Sequence, residues 1–369
     1  MKVALVCDWL TEIGGAERVL KSISDIFPDA PIYTSQYRPK RINWFLNRKI
    51  KTGWLNIFPA GLRKFMGPLR QIYFQNLDLS KYDLIISVTG AEAKAVKHGK
   101  AKHICYCHVP TQYYWQFYDK YLENPGFGIF SPVARLGLKL LVKPLRRLDY
   151  KSAQRPDFFI TISEYAKEQI KTYYNREGEI IHPPVLVKNF SYLKNTESET
   201  GKQKHFINFS RQVNWKRLDL AVMACLKTGT KLTLIGEGSE HKKLLELANS
   251  SRLIKFLPKM TQKELNKELS NANGYIFPSL EPFGIAPIEA MAAGCPVIAY
   301  EVGGAKDFIK EGENGILFTE QSIESLVEAI KKFEKMSFQP EKIIASTKKF
   351  SNERFVAELQ GFIKKHTGQ

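Results

Sequence analysis

No apolar run in this sequence reaches the 18 residues that a membrane-spanning helix needs, so no transmembrane segment is expected. Cysteine is sparse as well. Cys7, Cys105, Cys107, Cys225 and Cys295 are odd in number and lie mostly in apolar, strand-like runs, which points to buried reduced thiols and not to a disulfide framework. The run His103-Ile104-Cys105-Tyr106-Cys107-His108 looks at first like a metal site. In a strand, though, Cys105 and Cys107 share a face with His103 while His108 points the other way. Four ligands spaced so tightly along one strand cannot surround a tetrahedral ion, and no second CxxC-type pair exists. Acidic side chains are missing from two stretches: Ala30 to Leu77 holds nine basic residues and no acidic one, and Asn124 to Leu148 holds five and none. The opening Met1-Lys2-Val3-Ala4-Leu5-Val6-Cys7-Asp8 reaches a charge too soon for a signal peptide and reads as a first strand, which implies a cytosolic chain.

What is present is length, apolar mass and positive charge. With 369 residues, 44% of them hydrophobic, the chain exceeds one ordinary core, and two domains are expected. The net charge of +18 is uneven: residues 1–190 carry 29 Lys and Arg against 16 Asp and Glu, residues 191–369 carry 26 against 21. That asymmetry calls for an anionic partner of the first half: nucleic acid, a membrane surface or a phosphorylated substrate.

Along the chain, apolar runs of strand length alternate with helical periodicity. A strand over Val3–Cys7 leads into Gly14-Gly15 and an amphipathic helix carrying Ala16, Val19, Leu20, Ile23, Ile26 and Phe27. Further strands are expected at Leu84–Val88, His103–Cys107, Phe158–Ile162, Phe206–Phe209, Lys231–Ile235, Leu253–Phe256, Gly274–Phe277 and Pro296–Tyr300. Such alternation argues for doubly wound parallel sheets. The polar stretch around Thr196 to Gly201 reads as a linker, which gives a first domain over 1–188, a linker over 189–204, a second domain over 205–350 and a closing helix over 351–369.

Three elements in the second half follow strand ends, where ligands of open α/β sheets bind. Ser210-Arg211, with Lys216 five residues on, offers two cations able to clamp a diphosphate. Gly236-Glu237-Gly238 follows the next strand. The run Pro278 to Met291 then reads as loop and helix N-terminus, with Pro287 at the first helical position, Gly294 closing the helix, and carboxylates Glu281 and Glu289 eight residues apart. Phosphate suits such a helix end, and a carboxylate can accept two hydrogen bonds from a sugar diol.

In order and placement these elements resemble glycosyltransferase family 4, which has the GT-B fold of two Rossmann-like domains facing across a cleft. More narrowly, the chain resembles bacterial O-antigen and exopolysaccharide mannosyltransferases. The resemblance covers Asp8-Trp9-Leu10, Gly14-Gly15-Ala16-Glu17, Cys105-Tyr106-Cys107-His108, Trp215 to Val222, and Phe277 to Ala299 with its E-x7-E motif. It implies that Arg211 and Lys216 hold the donor diphosphate, that Glu289 binds the ribose diol, and that Glu281 lies by the transferred sugar. Backbone N–H groups of Phe283, Gly284, Ile285 and Ala286 would contact the donor, Gly236, Glu237, Gly238, Leu257 and Pro258 would border the base, and Gly14, Gly15 and His108 would act from the first domain. It further implies retention of configuration, no cofactor and no metal, a nucleotide diphosphate sugar (GDP-mannose) as donor, and a glycan or polyprenyl-diphosphate-linked acceptor. Ser210 and Arg217 depart from the family's usual glycines on either side of the clamp.

Other readings stay open. The same fold hosts nucleotide-sugar epimerases, and a non-enzymatic basic module for membrane or nucleic acid would explain the charge; the intact Arg211, Lys216, Glu281 and Glu289 set argues against that module and against a nucleic-acid partner. The stretch Pro132 to Leu148 sets Arg135, Lys139, Lys143 and Arg146 on one helical face and Leu138, Leu141, Val142, Leu145 and Leu148 on another. The ordinary reading is a surface helix packing its leucines on the sheet. Peripheral contact with the inner face of an anionic membrane through the basic first half is the other.

Overall fold

The computed structural model describes residues 1–123, 131–190 and 205–368. The chain divides into two units, Met1–Pro184 with Phe355–Gln369, and Val185–Arg354. Most of the expected linker, residues 191–204, lies outside the described residues.

The first unit holds seven strands, β1 (Val3–Cys7), β2 (Ile32–Thr34), β3 (Ile50–Thr52), β4 (Leu84–Thr89), β5 (Lys102–Cys107), β6 (Phe158–Thr161) and β7 (Glu179–Ile180), in the order β3-β2-β1-β4-β5-β6-β7. Every pairing is parallel. Helices α1 (Gly15–Ile26), α2 (Gly67–Asn76), α3 (Tyr118–Glu123), α4 (Ser131–Ala153) and α5 (Glu164–Tyr174) connect them. Strands β1 and β4 are buried along their whole length, as expected of a parallel sheet covered on both faces.

The second unit repeats the plan with β8 (His205–Phe209), β9 (Lys231–Ile235), β10 (Ile254–Leu257), β11 (Gly274–Phe277), β12 (Val297–Tyr300) and β13 (Gly315–Phe318), in the order β10-β9-β8-β11-β12-β13 and again all parallel. Its helices are α6 (Leu218–Thr228), α7 (His241–Ala248), α8 (Gln262–Asn271), α9 (Ile285–Ala292), α10 (Ile323–Glu334) and α11 (Pro340–Ser346). One apolar core runs through it, with Phe206, Val222, Leu234, Ile276, Ile298 and Ile330 at its centre. In both sheets the chain reverses its winding beside the first strand, between β1 and β4 and between β8 and β11. Those are the switch points where doubly wound folds open a crevice at the carboxyl edge.

The last helix, α12 (Asn352–Thr367), begins at the Ser351 hydroxyl, which accepts from the Arg354 N–H at 3.3 Å. It packs in the first unit, with Phe355 on Tyr106 and Phe362 and His366 on Phe158. The packed face of α4 keeps Val142 and Leu145 of the expected face but is turned away from Leu141 and Leu148. Val142, Leu145 and Asp149 are buried, whereas Leu141 and Leu148 are exposed. The buried Asp149 carboxylate is the reason: it pairs with the Lys94 ammonium at 2.6 Å and accepts from Thr111, Trp115 and Tyr174 at 2.7–2.9 Å, which fixes how the helix is turned.

Candidate active site

At the switch point of the second sheet, Lys216 and Glu281 form an ion pair. Lys216 ends a short 3-10 turn, Asn214–Lys216, in the loop after β8, and Glu281 lies in the loop after β11. Residues 65 positions apart thus meet because β8 and β11 are neighbours in the sheet. The Ser279 hydroxyl donates to Glu281 Oε1 at 2.8 Å and steadies the carboxylate. Arg211 stands exposed in the same β8 loop, with no ion pair among the described residues.

The next residue, Arg217, has φ 52°, the left-handed region that favours glycine. Holding an arginine there costs about 1–2 kcal/mol. Its guanidinium is tied down by Asp219 at 3.1 Å and by the Gln321 carbonyl at 3.3 Å, and the Gln321 amide in turn donates to Pro278 O at 2.8 Å. The departure from glycine therefore adds a tie between the cationic loop and the β11 loop.

Helix α9 starts at Gly284, whose φ of 137° is open only to glycine, and no side chain caps it. The helix begins at Ile285, so Pro287 is its third residue and not its first, and Glu289 is its fifth, two residues further in than expected. The N–H groups of Ile285 and Ala286 lead the uncapped first turn, the natural seat for an anion. Glu289 is buried. Burial, and behind it the charges of Glu281 and Glu289, push the Tyr275 phenol well above its ordinary range, so both carboxylates act on one small region. Gly294, at φ 82°, closes the chain beyond the helix as its position suggests.

The glycines after β9 let two loops meet. A Cβ on Gly236 would lie 2.5 Å from Ser210 O, and one on Gly238 would lie 2.2 Å from Gln212 O, so both seat the cationic loop against their own. Gln212, buried and unremarkable in the sequence, is the fastener: its amide donates to Gly236 O at 2.7 Å and its carbonyl pairs with His241 Nδ1 at 2.6 Å. Leu257 closes the row, its carbonyl accepting from Gly236 N at 2.9 Å, with Pro258 following the strand. Gly303-Gly304 makes a second close approach, at the β11 loop. A Cβ on Gly303 would lie 2.4 Å from Glu281 O, and Gly304 N donates to that oxygen at 2.8 Å. The signal was present in the sequence as a glycine pair just after a strand, the pattern of Gly14-Gly15.

In the first unit, Gly14 precedes α1 and Gly15 opens it. Glu17 folds back over Gly14, where burial pushes its carboxyl up to about 7 against the pull of Arg63. Asp8 at the end of β1 binds the start of the β4 loop, accepting from Thr89 Oγ1, Gly90 N and Ala93 N at 2.8–3.0 Å. His108, one residue beyond β5, has a buried Nε2 with no hydrogen-bond partner among the described residues, and burial lowers its pKa to about 4. It is a neutral imidazole at pH 7. Among the described residues no group of three His, Cys, Asp or Glu side chains is placed to hold a metal ion.

Two doubly wound parallel-sheet domains are the architecture of GT-B glycosyltransferases, and solved members superpose along the chain. The lipopolysaccharide outer core galactosyltransferase WaaB matches with a TM-score of 0.72, covering 99% of each chain at 18% identity. Anabaena HepE in complex with UDP matches at 0.71, covering 99% of this chain and 100% of that one at 16% identity. Residues 191–350 match the family model described as Glycosyl transferases group 1. Among curated relatives, the glycogen synthase of Mycobacterium tuberculosis is 31% identical over 107 residues, 28% of this chain and 26% of that protein. The human alpha-1,3/1,6-mannosyltransferase ALG2 is 26% identical over 230 residues, 54% of this chain and 55% of that one. These likenesses support a glycosyltransferase of the GT-B fold.

Proposed function

We propose that this protein is a retaining, metal-independent family 4 enzyme that moves mannose from GDP-mannose to a glycan or polyprenyl-diphosphate-linked acceptor, of the O-antigen or exopolysaccharide kind. The observation that carries the reading is the meeting of Lys216 and Glu281 at the switch point of the second sheet, in the same unit as the uncapped start of α9. Cleaving a nucleoside diphosphate from a sugar leaves negative charge on phosphate and makes the ring carbon oxocarbenium-like. Fixed positive charge at the leaving group is then the strongest lever available. Lys216 and Arg211 supply it, with the first-turn N–H groups of α9 as further donors. Glu281 holds the Lys216 ammonium in place and accepts from a hydroxyl of the transferred sugar, and Glu289 binds the ribose diol. His108, neutral at pH 7, hydrogen-bonds a sugar hydroxyl. The bond from the sugar C1 to phosphate oxygen breaks while the bond from C1 to the acceptor oxygen forms on the same face, and the leaving phosphate takes the acceptor's proton. The mannosyltransferase relative and the resemblance of the Trp215 to Val222 stretch favour mannose.

The test is transfer of label from GDP-mannose, UDP-glucose and ADP-glucose to a bacterial lipid-linked glycan extract with chelator present. Transfer from GDP-mannose alone is expected. Transfer only from another donor would remove the mannose assignment, and none from any would remove the enzyme.

A further inference from the structure

The first half of α4 exposes apolar side chains that no described residue of its own unit covers. Val133 is 71% exposed, Leu136 59%, Leu140 68% and Leu141 47%. Val133, Leu136, Leu140 and Arg147 fall within a ~60° arc of the helix, opposite the face carrying the buried Val142, Leu145 and Asp149. Lys143 and Lys139 lie along one side of that arc and are exposed. Arg135 and Arg146 are engaged elsewhere, Arg135 with the carbonyls of Leu122 and Glu123 at the end of α3, and Arg146 with Tyr114 O and the rings of Trp115 and Tyr118. The free cations therefore border the leucines. A monomeric domain rarely leaves such an apolar stripe in water, and a rim of lysine and arginine without acidic partners selects an anionic surface.

We propose that this face of α4 docks the protein on an anionic lipid bilayer, with Val133, Leu136 and Leu140 entering the headgroup–acyl boundary and Lys139, Lys143 and Arg147 meeting lipid phosphates. The docking is separate from the transfer chemistry, because it uses none of the residues assigned to the donor. Among the described residues no helix is long and apolar enough to cross a membrane, and the contact proposed is interfacial. Each lysine near the surface contributes about fivefold in affinity, and a leucine exchanged for a polar residue costs at least tenfold.

Flotation of the full chain with vesicles tests it without donor or acceptor, so failure here leaves the glycosyl-transfer reading standing. Wild-type protein floats with phosphatidylglycerol-containing vesicles at low salt, but not with pure phosphatidylcholine. Leu136→Ser with Leu140→Ser weakens binding by tenfold or more, and Lys139→Gln with Lys143→Gln weakens it by tenfold or more on anionic vesicles. Both pairs are solvent-facing, so unchanged melting temperatures confirm the fold, and Leu245→Ser on α7 leaves binding unaltered. No flotation of the wild type, equal flotation of the variants, or loss with Leu245→Ser of the same size would overturn the proposal. Binding to an acidic protein but not to vesicles would overturn it too.

Discussion

The two units share one strand order and use buried charge and exposed carbon in opposite ways. Among the described residues, the first buries Asp8, Arg70, Glu92, Lys94 and Asp149, while the second buries Glu289 alone of its charged side chains. Arg70 pairs with Glu92 at 2.8 Å and Lys94 with Asp149 at 2.6 Å, each pair almost wholly out of water. The first unit also exposes large apolar side chains such as Ile57, Ile72, Val133, Leu136 and Leu140, where the second exposes few, Trp215 and Leu245 among them. A sheet order thus says little about what a domain meets. The second unit spends its polar groups at one carboxyl edge around Lys216, Glu281 and Glu289. In the first, they act as internal fasteners beneath a surface that is both basic and greasy.

The largest expected effect tests those fasteners. Lys94→Met strands the Asp149 carboxylate in the core and should cost ~3–5 kcal/mol, read by urea denaturation. A loss below 1 kcal/mol would erase the contrast between the units. Next is Lys216→Ala in the second unit, which should reduce turnover by about 10²–10³ with the melting temperature nearly unchanged. Near-normal turnover would remove Lys216 from the chemistry.

Acid should act on the first unit through its histidines. Burial lowers His103 from 6.5 to about 3. As pH falls below 6.5 the unfolded chain takes up the proton and the folded one does not, so stability is full above 6.5 and declines toward pH 3. The slope from this group is on the order of 1.4 kcal/mol per pH unit, and His103→Gln should flatten it. The smallest effect belongs to Arg217→Gly. Relief of the left-handed strain and loss of the Asp219 and Gln321 ties nearly cancel, leaving a stability change under ~1 kcal/mol.

Much of this was legible in the residues. The strands over Val3–Cys7, Lys231–Ile235 and Gly274–Phe277 fall where their apolar runs place them, and the others expected fall within one residue at either end. Strands β2 and β3, three residues each, have too little pattern to stand out, and exist because neighbours in the sheet pair with them. At the site, glycines, cations and carboxylates were visible as strand-end residues. Their joining was not, because the Lys216–Glu281 pair depends on which strands are neighbours. Periodicity oriented α4 only coarsely: Val142 and Leu145 of the expected face are buried, Leu141 and Leu148 are not. Leucines occur around much of its circumference, and the packed side is chosen by Asp149, whose four partners come from three other segments.

On the function proposed above, the carboxyl edge of the second unit binds a nucleoside diphosphate sugar without metal. Melting of the full chain against GDP, UDP, ADP and their sugars, with chelator present, measures this most directly. A ligand at ~100 times its dissociation constant stabilises by about 2.7 kcal/mol, so a clear rise with GDP and GDP-mannose is predicted, lost in Glu289→Ala. No rise with any nucleotide would contradict it.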